Sequence, residues 1–338
     1  MKVLLRSPNW LGDAVMAFPL SLALKEVVPG CEVTVVVREG LKDLWDMNPC
    51  VDRIIPIKGH KFNEIKLGYE LRKGSFSYCF VLSRSHLSAF AAWLTQAKER
   101  IGFEPPAKSF LLTKRVKSYG FEHRIVSYLR LMEASFGTLS HVSFPTFKVD
   151  PQIEEEVDRA LGQGRSFPYI ALNTGSNYGE AKCWPEESFA ELSDKLLKEG
   201  IVPVLLGTKR EVDKNLRIKE RVGKRILDLT GKTSLKQLVA LLKRMKALVS
   251  NDTGTMHLAV ALGVPVVALF GPTDPKVTGP WRGGIVIRHE LPCSPCFKRK
   301  CPKGSPLCMT SITVDEVHKA IGDLINGERK VISIHPNL

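Results

Sequence analysis

Short apolar segments alternate with helical stretches along this chain, and the series occurs twice. In the first series, strands are predicted at residues 3–5, 32–38, 54–57 and 78–82, with a helix over 13–28 that ends at Pro29-Gly30. Strands that alternate with helices are typical of a parallel sheet whose strands are joined by crossover helices. The pattern therefore predicts an α/β fold.

The second series follows a short polar segment that contains Gly162 and Gly164. It predicts strands at residues 169–172, 202–206, 247–250 and 264–270, and helices at 185–200 and 255–262. Two successive α/β units predict two Rossmann-like domains that face each other across a cleft, with ligands beyond the C-terminal ends of the strands. We assign residues 1–163 to one domain and 164–338 to the other, because a chain of 338 residues has room for two cores.

Composition indicates a globular protein, with 44% hydrophobic and 25% charged residues. No apolar run reaches the ~20 residues of a membrane-spanning helix. Arg6, Pro8, Asn9 and Asp13 interrupt the first apolar stretch, which therefore predicts a strand, a turn and a helix rather than a secretory signal. We expect a cytoplasmic protein.

The net charge of +14 is unevenly distributed, since 14 Lys and Arg stand against 5 Asp and Glu between Lys58 and Arg130. Such a segment forms either a solvated basic face or a surface for an anionic partner, which is nucleic acid, anionic lipid or a phosphorylated glycan. The sequence has no RNA-recognition, helix-turn-helix or zinc-finger pattern, so nucleic acid is not specifically indicated.

Two nucleotide-binding motifs are absent. No G-x-G-x-x-G follows any predicted strand, which argues against a nicotinamide dehydrogenase. Gly231-Lys232-Thr233 resembles the end of a P-loop, but Ile226 stands where that motif needs its first glycine. The chain also lacks the Asp-x-Asp pair that holds a divalent metal in one large class of nucleotide-sugar enzymes. In a glycosyltransferase of this kind, helix ends and basic side chains would neutralise a diphosphate leaving group.

Three loops that follow predicted strands are candidates for chemistry. The segment from Ser250 to His257 precedes a helix, and its small residues leave backbone N–H groups accessible to a diphosphate, although Asp252 or Thr253 could instead only cap the helix. Lys182 lies in the second loop and is suited to approach an anion. Asp13 lies in the third and is either a general base or a partner of the helix dipole.

Four cysteines form a fourth candidate, at Cys293, Cys296, Cys301 and Cys308. Their spacing is not the usual repeated C-x2-C pair of zinc sites. The sequence leaves open whether they bind a metal, form disulfides or remain free thiols.

Taken together, these segments resemble the ADP-heptose:lipopolysaccharide heptosyltransferases, and within that family they are most similar to the type II enzymes. The resemblance covers nearly the whole chain. It is carried by RSPNWLGDAVM, GSNYGEAKCWPEESFAEL, SNDTGTMHLAVALGVPVVALFGPTDP and the late CSPCFKRKCP cluster with its following CM. The order and spacing of the four segments are more specific than any one of them.

The resemblance implies the glycosyltransferase B fold and a defined reaction. Family members transfer L-glycero-D-manno-heptose from ADP-heptose to the lipopolysaccharide inner core with inversion, and type II enzymes add it to the first heptose. The implied acceptor is Kdo-lipid A that already bears one heptose, at the inner leaflet of the inner membrane, where the protein would be peripherally associated. We expect no cofactor beyond the donor substrate and no nucleic-acid partner.

The resemblance also implies roles for individual residues. Asp13 matches the general base, Lys182 the diphosphate-binding lysine and Asp252 the contact to the donor sugar. The remaining donor-site residues are Thr253, Gly254, Thr255 and His257 in the diphosphate loop, Glu211 at the ribose, Lys232 and Thr233 near the adenine, and Thr174 in a looser match. Within the basic segment we select Arg84 and Lys66 as acceptor-binding residues.

Three alternatives remain at this point. One is heptosyltransferase I or another sugar-nucleotide enzyme of the same fold. A second is a basic nucleic-acid-binding protein with steeply salt-dependent affinity. A third is a redox or metal protein centred on the cysteines.

Overall fold

The structure is a computed structural model that describes residues 1–60, 62–104, 109–118, 120–137, 141–162, 168–223 and 225–327. The chain forms two compact units, Met1–Lys148 and Val149–Leu338. Each unit contains one six-stranded sheet, and all recorded strand pairs are parallel.

The first unit has the strand order β3-β2-β1-β4-β5-β6. Its strands are β1 (Lys2–Arg6), β2 (Glu32–Arg38), β3 (Arg53–Ile57), β4 (Tyr78–Val81), β5 (Glu99–Phe103) and β6 (Lys114–Val116). Its helices are α1 (Leu11–Met16), α2 (Phe18–Val27), α3 (Lys42–Asp46), α4 (Asn63–Leu71), α5 (His86–Leu94) and α6 (Arg124–Phe136).

The second unit has the order β12-β11-β10-β7-β8-β9. Its strands are β7 (Tyr169–Asn173), β8 (Val202–Leu206), β9 (Leu227–Asp228), β10 (Ala247–Asn251), β11 (Val266–Leu269) and β12 (Gly284–Ile287). Its helices are α7 (Pro151–Leu161), α8 (Glu186–Lys198), α9 (Val212–Val222), α10 (Leu235–Leu242), α11 (Gly254–Ala261), α12 (Pro275–Thr278), α13 (Leu307–Thr310) and α14 (Val314–Ile325).

Both sheets have the strand order of a Rossmann fold. The second sheet has the same topology as the first. Read from the β9 edge, its order is β9-β8-β7-β10-β11-β12, which corresponds strand by strand to β3-β2-β1-β4-β5-β6. The order reverses between β1 and β4 in one sheet and between β7 and β10 in the other, and ligands bind beyond the strand ends at such points. The prediction of two Rossmann-like α/β domains is confirmed.

Central strands are buried on both faces, as parallel strands covered by helices must be. β7 and β10 are buried at every position, and β2 is buried at all positions except its ends. In the second unit, Trp184 packs edge-on against Phe189 with ring centroids 4.9 Å apart, inside the core that the sheet shares with α8 and α14. These strands are rigid supports for the loops that follow them.

The contacts divide the chain after Lys148, earlier than the sequence-based boundary between residues 163 and 164, which lies outside the described residues. The reason is that α7 belongs to the second unit. Arg244 donates hydrogen bonds of 2.8 and 2.9 Å to Asp158, and Lys243 contacts Glu154 at 2.8 Å, so α7 is bound to the end of α10.

The helix predicted over residues 13–28 is divided in two. α1 ends at Met16 and α2 begins at Phe18, with Pro19 in its first turn. Proline has no N–H to donate and is tolerated only in a first turn, so a new helix begins there. Within the described residues, no helix is long and apolar enough to span a membrane.

Candidate functional site

The loop after β1 is held by a buried arginine. Arg6 is 3% exposed, forms an ion pair with Glu64, and donates a hydrogen bond of 3.0 Å to Asn9 Oδ1. The indole of Trp45 donates to Ser7 Oγ at 2.9 Å. These contacts fix the segment that leads into α1 and therefore the position of its first turn.

Asp13 lies in that first turn, at the point where the order of the first sheet reverses. Its Oδ1 is 3.7 Å from Nε of Arg124, the first residue of α6. This distance is longer than a hydrogen bond, so the contact is an electrostatic one. Both side chains are partly exposed, at 30% and 23%. The carboxylate therefore lies beside a cation at a strand-end position that solvent reaches.

Arg84 follows β4, the other strand at this reversal point. Its guanidinium lies 5.2 Å from the ring centroid of Phe103 and contacts Ser118. Burial and then the positive charge of Arg124 lower the pKa of Arg84. Burial and then the charge of Asp13 raise the pKa of Tyr128, one turn into α6, well above its usual value. Asp13 thus interacts electrostatically with two arginines and a neutral phenol.

Lys66, the other predicted acceptor residue, lies elsewhere in the first unit. It is on α4, its side chain is 79% exposed, and its ammonium is 3.9 Å from Glu70 one turn further on. No described contact joins Lys66 to the group around Asp13. Its role in acceptor binding remains a prediction.

In the second unit, the N-terminus of α11 has no side-chain cap. Thr253 occupies the N-cap position, but its hydroxyl accepts a hydrogen bond of 2.9 Å from Asn173 and lies 3.1 Å from Ser250 Oγ. Gly254 and Thr255 open the helix. The capping role considered for Asp252 and Thr253 is therefore wrong, and the first-turn N–H groups of α11 keep their capacity to bind an anion.

Asp252 forms a buried ion pair with Lys182, although 70 residues separate them. Their side chains are 5% and 10% exposed. Thr273 donates a second hydrogen bond to Asp252 Oδ2 at 2.7 Å, and Lys182 Nζ lies 4.4 Å from the ring centroid of Tyr178. The structure thus brings the predicted diphosphate lysine and the predicted sugar-binding carboxylate into direct contact.

Two buried asparagines connect the loops after β7 and β10. Asn251 donates hydrogen bonds to the carbonyls of Thr174 at 2.9 Å and Gly175 at 3.2 Å, and accepts one from the N–H of Trp184 at 3.0 Å. Asn173 donates to Ser250 and Thr253. The sequence analysis did not select either asparagine as a site residue. Each is the last residue of a buried strand, and this position in the sequence could have indicated them.

Glu211 lies against the loop after β7. A Cβ added to Gly175 would be 2.5 Å from the Glu211 carboxyl carbon, so only glycine permits this approach. Thr174 donates to Asn215 Oδ1 at 2.5 Å, and Lys214 Nζ donates to the Thr174 carbonyl at 3.0 Å. Burial lowers the pKa of Lys214, a further cation that the sequence analysis missed.

Lys232 and Thr233 follow β9. Lys232 Nζ donates to the carbonyl of Asp228 at 2.9 Å, and Gly231 N donates to Gly207 O at 2.8 Å. The loop after β9 is therefore bound to the loop after β8 that carries Glu211. The predicted donor residues follow the strand order β10, β7, β8 and β9 along one sheet edge, from Asp252 to Lys232.

His257 is inside α11, buried, and close to the Lys182–Asp252 pair. Burial lowers the pKa of His257 to about 4, and the nearby Lys182 contributes to this shift. The imidazole is therefore neutral at physiological pH. His257 is thus an uncharged member of the segment after β10, and its part in the diphosphate loop remains a prediction.

The late cysteine segment lies beside these loops. Tyr178 donates to the Phe297 carbonyl at 2.6 Å, and Ala181 N donates to the Arg299 carbonyl at 3.2 Å. No disulfide bond joins any of the eight cysteines in the structure. Among the described residues, no three His, Cys, Asp or Glu side chains are arranged to hold a metal ion. The two hydrogen bonds from Tyr178 and Ala181 join the segment to the loop that carries Lys182.

Comparison with known proteins adds to this geometry. Residues 65–306 match glycosyltransferase family 9 (heptosyltransferase). Lipooligosaccharide heptosyltransferase 2 of Haemophilus ducreyi is 29% identical, over 96% of this chain and 99% of its own length. Lipopolysaccharide heptosyltransferase 2 of Escherichia coli is 29% identical, over 83% and 85%. The solved structure of E. coli ADP-heptose LPS heptosyltransferase II superposes with a TM-score of 0.84 and 27% identity, covering 97% of this chain and 99% of that one.

Proposed function

The chain belongs to glycosyltransferase family 9, and we propose that it transfers heptose from ADP-heptose to the first heptose of the lipopolysaccharide inner core. Family membership makes it a glycosyltransferase of the glycosyltransferase B fold. The relatives named heptosyltransferase 2 cover most of the chain and support the type II assignment.

One observation carries the donor half of this proposal, namely the order of the candidate residues along the second sheet. Asp252 and the uncapped α11 follow β10, Thr174 follows β7, Glu211 lies near the end of β8, and Lys232 follows β9. Three steps between neighbouring strands span about 14 Å. An extended molecule with the sequence sugar, diphosphate, ribose and adenine meets suitable partners in that same order.

The chemistry of these residues suits the departure of ADP. The N–H groups of α11 and the ammonium of Lys182 stabilise the negative charge that grows on the diphosphate as the sugar–phosphate bond breaks. Lys182 is paired with Asp252, so the incoming diphosphate competes for the lysine and leaves Asp252 available to sugar hydroxyls. With these groups in place, we propose that the reaction needs no cofactor.

Asp13 is proposed as the general base. It takes the proton from the acceptor hydroxyl as that oxygen forms its bond to the anomeric carbon and ADP leaves, so the anomeric configuration inverts. The Arg124 guanidinium, whose Nε lies 3.7 Å from Asp13 Oδ1, places a positive charge beside this carboxylate. Arg84 and Arg124 together attract an acidic group of the acceptor.

The acceptor is a lipid, so we propose that the enzyme is cytoplasmic and acts at the inner leaflet of the inner membrane as a peripheral protein. The basic excess between Lys58 and Arg130 supports this, because it lies in the unit that carries Asp13 and Arg84. The proposal includes no nucleic-acid partner.

The decisive experiment is incubation with ADP-heptose and a mono-heptosylated Kdo-lipid acceptor, read by mass spectrometry. A mass increase of one heptose supports the proposal, and an acceptor that lacks the first heptose is the matched control. Transfer to that control instead would identify a type I enzyme, and no transfer to either would refute heptose transfer to the inner core. Asp13→Asn should lower kcat by about 10²- to 10⁴-fold and leave the Kd for ADP unchanged.

A further inference from the structure

One face of α4 is aromatic and basic, and its opposite face is buried. Phe62, at the N-cap, Lys66 and Tyr69 recur at four- and three-residue intervals, so they lie on one side of the helix. Phe62 and Tyr69 are 59% and 53% exposed. Glu64 and Gly68 face the other way and are buried. Large apolar side chains that face outward need an explanation when the inward face is already packed.

The helix next to it continues this pattern. α4 packs on α5 closely enough that a Cβ on Gly68 would be 2.3 Å from the Ala91 carbonyl oxygen. On α5, Trp93 is 42% exposed and stacks on Phe90 with centroids 5.7 Å apart. The 3-10 turn Ser109–Leu111 contacts α5 and carries Phe110, which is 67% exposed. Among the described residues, four of the seven exposed aromatic side chains belong to these three elements.

Cations accompany the aromatic rings. Arg72 lies 4.3 Å from the ring centroid of Tyr69, and Arg72 and Lys73 are exposed directly after α4. One acidic residue, Glu70, lies on the same outer side and pairs with Lys66 at 3.9 Å, so Arg72 and Lys73 remain in excess. Tyr69 and Trp93 have rings with a polar edge, and such rings and long cationic side chains favour a membrane–water interface, into which phenylalanine also inserts.

We propose that the α4–α5 face, formed by Phe62, Tyr69, Arg72, Lys73, Trp93 and Phe110, docks on an anionic lipid bilayer. The aromatic rings enter the headgroup region, and Arg72 and Lys73 pair with lipid phosphates. The excess of exposed cations at Arg72 and Lys73 complements an anionic lipid surface, and this charge is what favours a bilayer as the partner. The inference names the surface for the proposed action on a lipid acceptor and rests on that proposal.

The test is flotation of the full-length protein with vesicles of phosphatidylcholine, with or without phosphatidylglycerol. We expect binding to the anionic vesicles only. Arg72→Glu/Lys73→Glu should weaken binding at least tenfold, since each cation near an anionic surface contributes about fivefold. Tyr69→Ser/Trp93→Ser should weaken it to a similar degree. Matched controls come from the second unit, where Val212→Ser/Leu216→Ser removes exposed apolar groups and Lys198→Glu/Lys246→Glu reverses exposed charges.

A second readout separates this inference from the proposed function. Tyr69→Ser/Trp93→Ser should leave heptose transfer to a deacylated, water-soluble acceptor unchanged and reduce transfer to the same sugar carried on lipid in vesicles. Circular dichroism checks that each variant is folded. The inference is overturned if the wild type does not float with anionic vesicles, or if the second-unit controls lose as much binding. Failure of transfer to the soluble acceptor would instead contradict the proposed function and leave the vesicle result intact.

Discussion

Loss of Lys182 should have two consequences that separate its structural role from its role in the donor site. Lys182→Met leaves the Asp252 carboxylate buried and without its ion pair, while the Thr273 hydroxyl still donates a hydrogen bond to it. Removal of one member of a buried ion pair costs about 3–5 kcal/mol. Because Thr273 still donates to the carboxylate, we expect the lower end, about 3 kcal/mol. For a unit of this size, that corresponds to a fall in Tm of roughly 6–12 °C.

The same substitution removes a charge-assisted contact to the diphosphate. Such a contact is worth about 1.5–3 kcal/mol, so the Kd for ADP should rise by roughly 10- to 100-fold. Thermal unfolding measures the first effect, and isothermal titration with ADP measures the second. The double variant Lys182→Met/Asp252→Asn should recover most of the stability, since no uncompensated charge is left, but none of the ADP affinity.

Asp252→Asn completes the cycle of variants. ADP lacks the sugar, so this variant should bind ADP at least as tightly as the wild type and lose heptose transfer. Two results would refute the reasoning. One is a Lys182→Met protein with unchanged stability, which would mean that the buried pair is not formed. The other is a double variant that binds ADP normally, which would remove Lys182 from the donor site.

Three further predictions follow from the donor loops. Gly175→Ala should raise the Kd for ADP about tenfold, because the new methyl group displaces the Glu211 side chain. In a protein that already carries Glu211→Ala, the same substitution should change the Kd for ADP little, since Gly175 acts through Glu211. His257 has a pKa of about 4 in the folded protein and about 6.5 in the unfolded chain, so the unfolded chain binds a proton first as the pH falls. The free energy of unfolding should therefore fall by up to about 3 kcal/mol between pH 6.5 and pH 4. His257→Gln should reduce this pH dependence, and an unchanged pH dependence would contradict the low pKa of His257. Asn251→Ala loses three buried hydrogen bonds and should cost about 2–4 kcal/mol in urea unfolding, whereas a change within error would mean that water replaces the amide.

Secondary structure in the central strands could be predicted because its cause is local. Residues 32–38 and 202–206 were predicted as strands, and the structure has strands at Glu32–Arg38 and Val202–Leu206. Both are short apolar runs bounded by turn residues, and burial on both faces selects for that composition. The strands β5, β6, β9 and β12 were not predicted. Strands of two to four residues, such as β6, β9 and β12, leave too short a pattern to read, and β5 begins with the charged pair Glu99 and Arg100, which interrupts its apolar pattern.

The candidate site could be predicted in part for a related reason. Asp13, Thr174 and Asp252 all follow a strand, and the C-terminal ends of parallel strands meet at one edge of each sheet. The capping role considered for Thr253 was wrong because its alternative partner, Asn173, lies on a different strand. No local pattern reveals a hydrogen bond across 80 residues.

The sequence by itself determined the two series of strands and helices, the loops that follow the strands, and the residues that carry the family resemblance. Only the tertiary structure decided which side chains meet, such as Lys182 with Asp252, Arg124 with Asp13 and Asn251 with Trp184. The physical reason is that apolar periodicity encodes burial along one element. The partner of a polar side chain depends instead on strand order and helix packing, which bring distant segments together.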